Sequence, residues 1–168
     1  MAVTIDIAPP EQIDADATAV LVAQPFEGLE GRLAELAASG ELRGDRGEAL
    51  LLHGPRLVAA GVGKRAAVDE DALRTAGAVT AQKLSRVGGT LCWVLDESLP
   101  VPLPEQAAAL VEGTILGGYS PGRWKTQDER PPLAPERIVI GHAGSPELRA
   151  AVDRAALLAE RTNRARDL

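Results

Sequence analysis

The apolar and polar positions of residues 57–95 alternate in blocks that predict a strand, a helix and a second strand. Residues 57–60 form a short apolar run, and a glycine-rich stretch that predicts a turn follows it. A helical pattern begins at Asp69 and stops at the glycine pair 88–89. Residues 90–95 are apolar almost throughout, as in a buried strand. A helical crossover of this length predicts that the two strands pair in parallel with right-handed connectivity.

The crossover helix has one apolar side and one polar side. The positions three and four residues apart that are predicted to face the sheet are Leu73, Ala76, Gly77, Thr80, Leu84 and Val87. The positions left for solvent are Arg74, Gln82, Lys83 and Arg86. Acidic residues occupy positions 69–71 in the first turn, where the helix dipole favours negative charge. These features predict a helix that packs one face on a sheet.

The rest of the chain continues the alternation of strands and helices. Further strands are predicted at residues 3–7, 18–23, 48–53 and 137–142. Further helices are predicted after Phe26 up to Gly40, from Pro104 to residues 117–118, and from Pro146 onward. Residues 54–56 are short enough to turn the third strand directly back as a hairpin, which makes one strand pair antiparallel. About six strands and four helices alternate, so we predict an α/β fold of three layers with a mixed, mostly parallel sheet.

Two segments near the C-terminus have distinct patterns. Residues 119–136 contain four prolines and mixed charge, which predicts a long loop. Ser145 is placed to cap the last helix. The predicted inner side of that helix consists of Leu148, Ala151, Val152, Ala155, Leu158, Ala159 and Thr162. The residues after Thr162 are polar almost all round, so we expect the end of the helix to lack contacts and to fray.

Composition places the chain among ordinary globular proteins of one domain. Its 168 residues are 45% hydrophobic and 25% charged, and its core must be aliphatic because the chain has only two Trp, one Tyr and one Phe. The net charge of -6 argues against binding to nucleic acid or to anionic membranes. No apolar run approaches the ~20 residues of a membrane span, and the start lacks a signal sequence, so we expect a cytoplasmic protein.

Residue types that perform catalysis are present but scattered. His53 and His142 close predicted strands without a partner at a metal-ligand spacing, so ordinary strand-end histidines are the favoured interpretation. Cys92 lies in a predicted buried strand and is expected to be a core thiol rather than a nucleophile. No Gly-x-Ser-x-Gly elbow surrounds Ser145, and no pair of carboxylates can be assigned to acid and base roles. The residues therefore predict neither a catalytic site nor a metal site.

The sharpest candidate for a ligand site is the Gly-Val-Gly-Lys-Arg-Ala stretch, which fits the dinucleotide pattern Gly-x-Gly-x-x-Ala between a strand and a helix. Its candidate binding residues are Gly61, Gly63 and Lys64. Two features oppose a nucleotide. The acidic residues 69–71 would repel a phosphate, and Arg65 stands where a Walker loop needs Ser or Thr. A tight glycine turn without a ligand is the favoured interpretation, and a nucleotide site is the alternative.

Three stretches together resemble one protein family. The run Ala-Ala-Gly-Val-Gly-Lys within residues 57–64 is similar to the strand and Gly-x-Gly-Lys turn of the N-terminal domain of the leucyl (cytosol) aminopeptidase family. Residues 112–119, followed by Arg-Trp-Lys-Thr at 123–126, resemble that family's glycine, tyrosine and aromatic-lysine stretch. Residues 163–168 look like the entry to the family's catalytic domain. The resemblance spans nearly the whole chain.

The resemblance implies a fold similar to macro domains, with residues 1–160 as an N-terminal domain and residues 161–168 as the start of a connector. Members of the family remove N-terminal residues from peptides with two divalent metals, Zn or Mn, whose ligands lie in a C-terminal catalytic domain. The resemblance thus implies a noncatalytic assembly or regulatory domain whose partner is its own catalytic domain. The parent is implied to be a homohexamer, whereas the chain alone is expected to be a monomer or weak dimer.

Two other functions stay open at the level of sequence. One is a nucleotide or ADP-ribose binding module that uses the Gly61 turn. The other is an α/β interaction domain without a ligand. If the chain is an N-terminal aminopeptidase domain or an interaction domain, we expect no cofactor to bind within it.

Overall fold

The computed structural model of the protein describes residues 2–121 and 133–168. The strands within these ranges are β1 Thr4–Ala8, β2 Ala17–Gln24, β3 Ala49–Leu52, β4 Leu57–Lys64, β5 Thr90–Val94 and β6 Arg137–Gly141. The α-helices are α1 Gly31–Ser39, α2 Glu70–Lys83, α3 Leu103–Gly117 and α4 Pro146–Arg166, and short 3-10 turns lie at Pro10–Gln12 and Arg65–Ala67. The predicted alternation is confirmed. Most of the loop predicted at residues 119–136 lies outside the described residues.

The six strands form one sheet in the order β1-β6-β5-β2-β4-β3. Only β3 is antiparallel to its neighbour, β4, and Leu52 faces Leu57 across the predicted hairpin. The mixed, mostly parallel sheet is therefore confirmed. The predicted pairing of β4 with β5 is wrong, because β2 lies between them and pairs in parallel with both. A crossover that contains a full helix is long enough to pass over an intervening strand, a distance of about 10 Å.

Helices cover both faces of the sheet, as a three-layer fold requires. On one face, α2, α3 and α4 join the strands in a large core that includes Leu73, Leu110 and Val152. On the other face, a smaller cluster joins Leu36 of α1 to Val22 of β2. Neighbouring positions along β2 and β4 alternate between the two clusters, because successive side chains of a strand point to opposite faces.

Helix α2 begins where the sequence predicts, and the predicted inner residues Leu73, Ala76, Gly77 and Thr80 are buried. The helix ends earlier than predicted, at Lys83, and Leu84 is its C-cap. Residues 84–88 form tight turns in which the amide of Val87 donates to the carbonyl of Leu84 at 2.8 Å. The carbonyl of Ser85 accepts from the amide of Leu133 at 2.7 Å. In a longer helix this carbonyl would instead accept from an amide of the next helical turn.

Arg74 of α2 was predicted to face solvent, and the structure corrects this prediction. Its Nε donates to the carboxylate of Glu112 in α3 at 2.8 Å, and its Nη2 lies 3.4 Å from Glu70. The hydrogen bond to Glu112 raises the pKa of the Arg74 guanidinium above its ordinary value. Since 38% of the side chain is exposed, this contact is a half-covered bridge between two helices rather than a solvated charge.

Ser145 caps α4 as predicted, since its Oγ accepts from the amide of Leu148 at 3.1 Å. The buried residues of the helix are Leu148, Val152, Ala155 and Ala159. Leu158 was predicted to face inward and is 56% exposed. The buried positions repeat at intervals of four, three and four residues, and Leu158 is rotated away from that row by about one residue, or 100°.

The end of α4 has contacts that the sequence did not predict. The helix continues through Arg166. The side-chain amide of Asn163 donates to the carbonyl of Ile115 in α3 at 3.2 Å. The hydroxyl of Tyr119 donates to the carboxylate of Asp167 at 2.8 Å. The expectation that the residues after Thr162 lack contacts is therefore wrong.

Candidate functional site

A crevice lies where the carboxyl ends of β2, β4 and β5 meet. Its volume is about 630 Å³, and its walls come from the segments that follow these three strands. The lining residues are Gln24, Pro25, Lys64, Arg65, Ala66, Ser98 and Pro100. The crossover after β2 leads to one face of the sheet and the crossover after β5 leads to the other, so the crevice marks the point at which the winding reverses. Ligands of open α/β sheets bind at such points.

The glycine motif that the sequence singles out lies next to this crevice but does not form a turn. Strand β4 continues through Lys64, so Gly61 and Gly63 are inside it, and the predicted turn is wrong. The amide of Gly61 donates to the carbonyl of Glu48 at 2.8 Å, and that of Gly63 donates to Gly44 at 2.9 Å. A Cβ at Gly61 would lie 2.1 Å from the carbonyl oxygen of Asp45. Gly61 therefore serves the close approach of the loop 43–48, whereas Gly63 adopts a φ of +83°, which favours glycine.

That loop contains an arrangement of amides suited to an anion, and a side chain of the protein fills it. The backbone N–H groups of Arg43, Gly44 and Asp45 all point at the carboxylate of Glu48. Successive amides of this kind form a concave site for negative charge. Because Glu48 satisfies these donors, the amides organise the loop.

Arg65 occupies the floor of the crevice, with 15% of its side chain exposed. Its guanidinium lies 3.6 Å from Glu27 after β2 and 3.4 Å from Asp96 after β5. It also donates to the hydroxyl of Ser98. Arg65 thus joins the loops that follow β2 and β5, and the two carboxylates offset the charges of Arg65 and Lys64. A crevice without net positive charge has little attraction for a phosphate.

Side chains of the protein also occupy the N-terminus of α2. The Oδ1 of Asp69 accepts from the amide of Ala72 at 2.8 Å, which caps the helix. Asp71 in the first turn pairs with Arg46 at 2.5 Å. A phosphate at this position would compete with the capping carboxylate and would face the charge of Asp71.

The wall of the crevice that the loop after β5 forms depends on Gln106, a residue that the sequence analysis did not single out. This residue is fully buried in α3. Its Nε2 donates to the carbonyls of Asp96 and Val101 at 2.8 and 2.7 Å, and its Oε1 accepts from the amide of Asp96 at 3.2 Å. The side chain therefore fixes the loop after β5. The available signal was an amide on the apolar side of an alanine-rich helix, since a buried amide requires partners.

The other candidate residues do not line the crevice. The Nδ1 of His142 accepts from the amide of Gly144 at 2.9 Å, and His53 is exposed after β3. Cys92 is buried, and burial raises the pKa of its thiol, which disfavours a reactive thiolate. Across residues 2–121 and 133–168, no group of three or more His, Cys, Asp or Glu could hold a metal ion. These donors do not fit the two divalent metals of the family, whose ligands the resemblance places in a C-terminal catalytic domain.

Together these observations define a three-layer α/β domain with a crevice at the carboxyl ends of its central strands. Over residues 12–128 the sequence matches the N-terminal domain of the cytosol aminopeptidase family, and the chain belongs to this family. A probable cytosol aminopeptidase of Solibacter usitatus is 34% identical over the whole chain, which covers 35% of that protein. A second, from Streptomyces griseus, is 34% identical over 92% of the chain, which covers 31% of that protein. The chain thus spans about a third of the length of these curated relatives.

Solved structures have the same fold. A mutant of tomato leucine aminopeptidase matches with a TM-score of 0.74 at 17% identity, over 94% of this chain and 36% of that one. The bottromycin maturation enzyme BotP matches with a TM-score of 0.70 at 26% identity, over 92% of this chain and 32% of that one. BotP has also been solved in complex with Mn.

The stretches that carry the family resemblance lie in different parts of the fold. Residues 57–64 form β4, and residues 112–119 lie at the end of α3 and just beyond it. The Arg-Trp-Lys-Thr segment at 123–126 lies outside the described residues.

In the part of the chain that the structure describes, no helix is long and apolar enough to cross a membrane.

Proposed function

We propose that this chain acts as the noncatalytic N-terminal domain of a longer cytosolic leucyl aminopeptidase and contributes to its assembly or regulation. The observation that carries the proposal is the family match over residues 12–128, which is specific to the N-terminal domain. The share of about a third of each relative's length supports it. No metal-binding cluster occurs among the described residues, so the chemistry belongs to another part of the longer protein.

The longer protein would remove N-terminal amino acids from peptides with two divalent ions, Zn or Mn, held outside these residues. The names of the relatives and the Mn complex of BotP support this activity. We assign residues 1–160 to the N-terminal domain and residues 161–168 to the connector. Helix α4 runs without a break across that boundary, so the connector would begin as a continuation of the helix. A cytoplasmic homohexamer is the assembly we expect.

The chain of 168 residues alone is expected to release no product from an aminoacyl p-nitroanilide in the presence of Mn²⁺ or Zn²⁺. The longer protein is expected to turn over the same substrate, because the metal ligands lie in its additional residues. Absorbance of released nitroaniline measures both. A mock purification from cells without the gene is the control for contaminating peptidases. Turnover by the 168-residue chain above that background would contradict the assignment of catalysis to the rest of the protein.

A nucleotide or ADP-ribose binding module is the second candidate function, favoured by the position of the crevice at the reversal of the winding. The geometry opposes it, because Arg65 is paired with Glu27 and Asp96 and because Asp69 caps α2. An α/β interaction domain without a ligand is compatible with the same observations.

Calorimetric titration with ADP-ribose, and separately with NAD, is expected to give no heat beyond dilution at about 1 mM ligand, the weak end of the affinity scale. The physical reason is the absence of net positive charge in the crevice. Lys64→Ala is the informative variant, and Lys83→Ala at the exposed end of α2 is its matched control. Micromolar binding that Lys64→Ala abolishes and Lys83→Ala preserves would make the nucleotide module the first candidate.

A further inference from the structure

The crevice at the carboxyl ends of β2, β4 and β5 has a mostly apolar lining. Pro25, Ala66 and Pro100 contribute only hydrocarbon side chains, and the stems of Lys64 and Arg65 add methylene groups. Its volume of about 630 Å³ lies within the range of pockets for drug-sized ligands, roughly 300–1,000 Å³. These walls therefore suit the apolar body of a ligand that is larger than a single amino acid.

Hydrogen bonds within the protein hold the walls of the crevice in place. The Nε2 of Gln24 donates to the carbonyl of Arg43 at 2.6 Å. In the loop after β5, the amide of Ser98 donates to the carboxylate of Asp96 at 2.9 Å, and Gln106 holds the same loop from α3. A crevice that is formed in advance binds its ligand at a smaller cost in conformational entropy.

Lys64 provides a positive charge that the protein leaves unpaired. Within residues 2–121 and 133–168, no carboxylate forms an ion pair with its ammonium group. Arg65 differs, because its guanidinium pairs with Glu27 and with Asp96. Of the two cations that line the crevice, Lys64 is therefore the one available to a ligand.

The other carboxylates around the crevice limit how much negative charge a ligand can bring. Asp45 pairs with Arg43 at 3.4 Å, Asp69 caps α2, and Glu97 in the loop after β5 is exposed to solvent. None of the three lines the crevice. They oppose a diphosphate, which brings at least two negative charges, more strongly than a single carboxylate beside Lys64.

The C-terminal end of a peptide combines the groups that this lining can bind. A carboxylate accepts a charge-assisted hydrogen bond from an ammonium group such as that of Lys64. An apolar side chain can pack on Pro25 and Pro100. The carbonyl oxygen of Gln24 accepts no hydrogen bond from the described residues, so it can accept one from a peptide N–H.

We propose that this crevice binds the C-terminal end of a short apolar peptide, with the peptide carboxylate on Lys64. The choice of a peptide among apolar carboxylates rests on the proposed function, because the peptides that an aminopeptidase shortens keep a free C-terminal carboxylate. The proposal thereby supplies a ligand for the regulatory role of the domain.

Nuclear magnetic resonance titration of the ¹⁵N-labelled 168-residue chain tests the site. The probe is N-acetyl-leucyl-leucine, whose blocked N-terminus excludes cleavage by a contaminating aminopeptidase. The comparison ligand is the same dipeptide with an amidated C-terminus. We expect saturable shifts at the amides of Gln24 and Ala66 with a Kd of about 1 mM or lower. Amidation is expected to weaken binding by about fivefold or more, because the charge-assisted bond is lost.

Two pairs of variants locate the ligand. Lys64→Ala is expected to weaken binding of the acid by about fivefold or more and to leave the amidated dipeptide unaffected, since only the acid has a partner for the ammonium group. Lys83→Ala at the exposed end of α2 is its control. Ala66→Trp fills the crevice and is expected to abolish binding of both ligands. Ala67→Trp, at an exposed position of the same 3-10 turn outside the lining, is expected to preserve it. Circular dichroism verifies that each variant is folded.

Three results would overturn the proposal. They are the absence of saturable shifts, equal affinity for the acid and the amidated dipeptide, and unchanged affinity for the acid in Lys64→Ala. Free leucine and hexanoate distinguish the possible sources of an apolar carboxylate. Equal or tighter binding of either one would overturn the assignment to a peptide, whereas weaker binding of both would support it.

The aminopeptidase assay of the longer protein separates this proposal from the proposed function. Binding of the dipeptide by the 168-residue chain, without turnover by the longer protein, would support the site and overturn the proposed activity. Turnover by the longer protein, without binding by the 168-residue chain, would support the activity and overturn the site.

Discussion

Replacing Trp93 by alanine is expected to lower the free energy of unfolding by about 3–5 kcal/mol. Trp93 is fully buried in β5, which lies between β2 and β6 in the middle of the sheet. Its Nε1 donates to the hydroxyl of Thr114 in α3 at 3.1 Å. The alanine variant therefore leaves a large cavity and removes a bond between the sheet and the helix layer. Urea denaturation followed by circular dichroism measures the loss.

Trp93→Phe is the matched control for this prediction. Phenylalanine retains most of the apolar volume and removes the indole N–H, while the hydroxyl of Thr114 still donates to the carbonyl of Leu110 at 2.7 Å. We expect this variant to lose about 1–2 kcal/mol, less than the alanine variant. If the two variants unfold at the same urea concentration, packing around the ring contributes little and the indole hydrogen bond dominates.

The elements of the fold could be predicted from the sequence because each has a local cause. The glycine in the left-handed conformation at Gly40 ends α1, and Ser145 caps α4. The position of β2 between β4 and β5 could not be predicted, because the order of strands depends on contacts between distant residues. An alternation of apolar and polar residues with a period of two predicts a strand, but it does not predict which strands pair with it.

The inner side of a helix was predicted less well where large and small apolar residues compete. In α4, the row that faces the core contains Ala155 and Ala159, while Leu157 and Leu158 are exposed. Bulk alone would favour the leucines for the core. The close packing of α4 on α3 selects small residues instead, and that selection depends on the neighbouring helix.

The candidate site illustrates how one short motif can have two uses. The pattern of Gly61 and Gly63 is compatible with a phosphate turn. In the structure Gly61 allows the loop 43–48 to lie on β4, and Gly63 adopts a positive φ within the strand. The deciding contacts come from residues more than a dozen positions away in the chain, so the motif alone could not distinguish the uses. The pairing of Arg65 with Glu27 and Asp96 is equally a product of the fold.

Replacing Gly113 by alanine is expected to lower the free energy of unfolding by about 1–3 kcal/mol, even though alanine favours a helix by up to about 1 kcal/mol over glycine. Glycines bring α2 and α3 into direct backbone contact. A Cβ at Gly113 would lie 2.1 Å from the carbonyl oxygen of Arg74, and one at Gly77 would lie 2.6 Å from that of Leu110. The helices must therefore separate, which also disturbs the bond between Arg74 and Glu112.

Gly118→Ala is the control for the Gly113→Ala variant, because it adds the same methyl group at the end of the same helix. The atoms nearest to a Cβ at Gly118 are the Cβ of Ala134 at 3.2 Å and the carbonyl oxygen of Thr114 at 3.3 Å, contacts that a shift of a few tenths of an ångström relieves. We expect Gly118→Ala to change the free energy of unfolding by about 0.5 kcal/mol or less. Thermal unfolding of both variants beside the parent chain measures the difference. A Gly113→Ala variant as stable as the parent would show that α2 and α3 can move apart without loss, and that their contact is not a constraint on the fold.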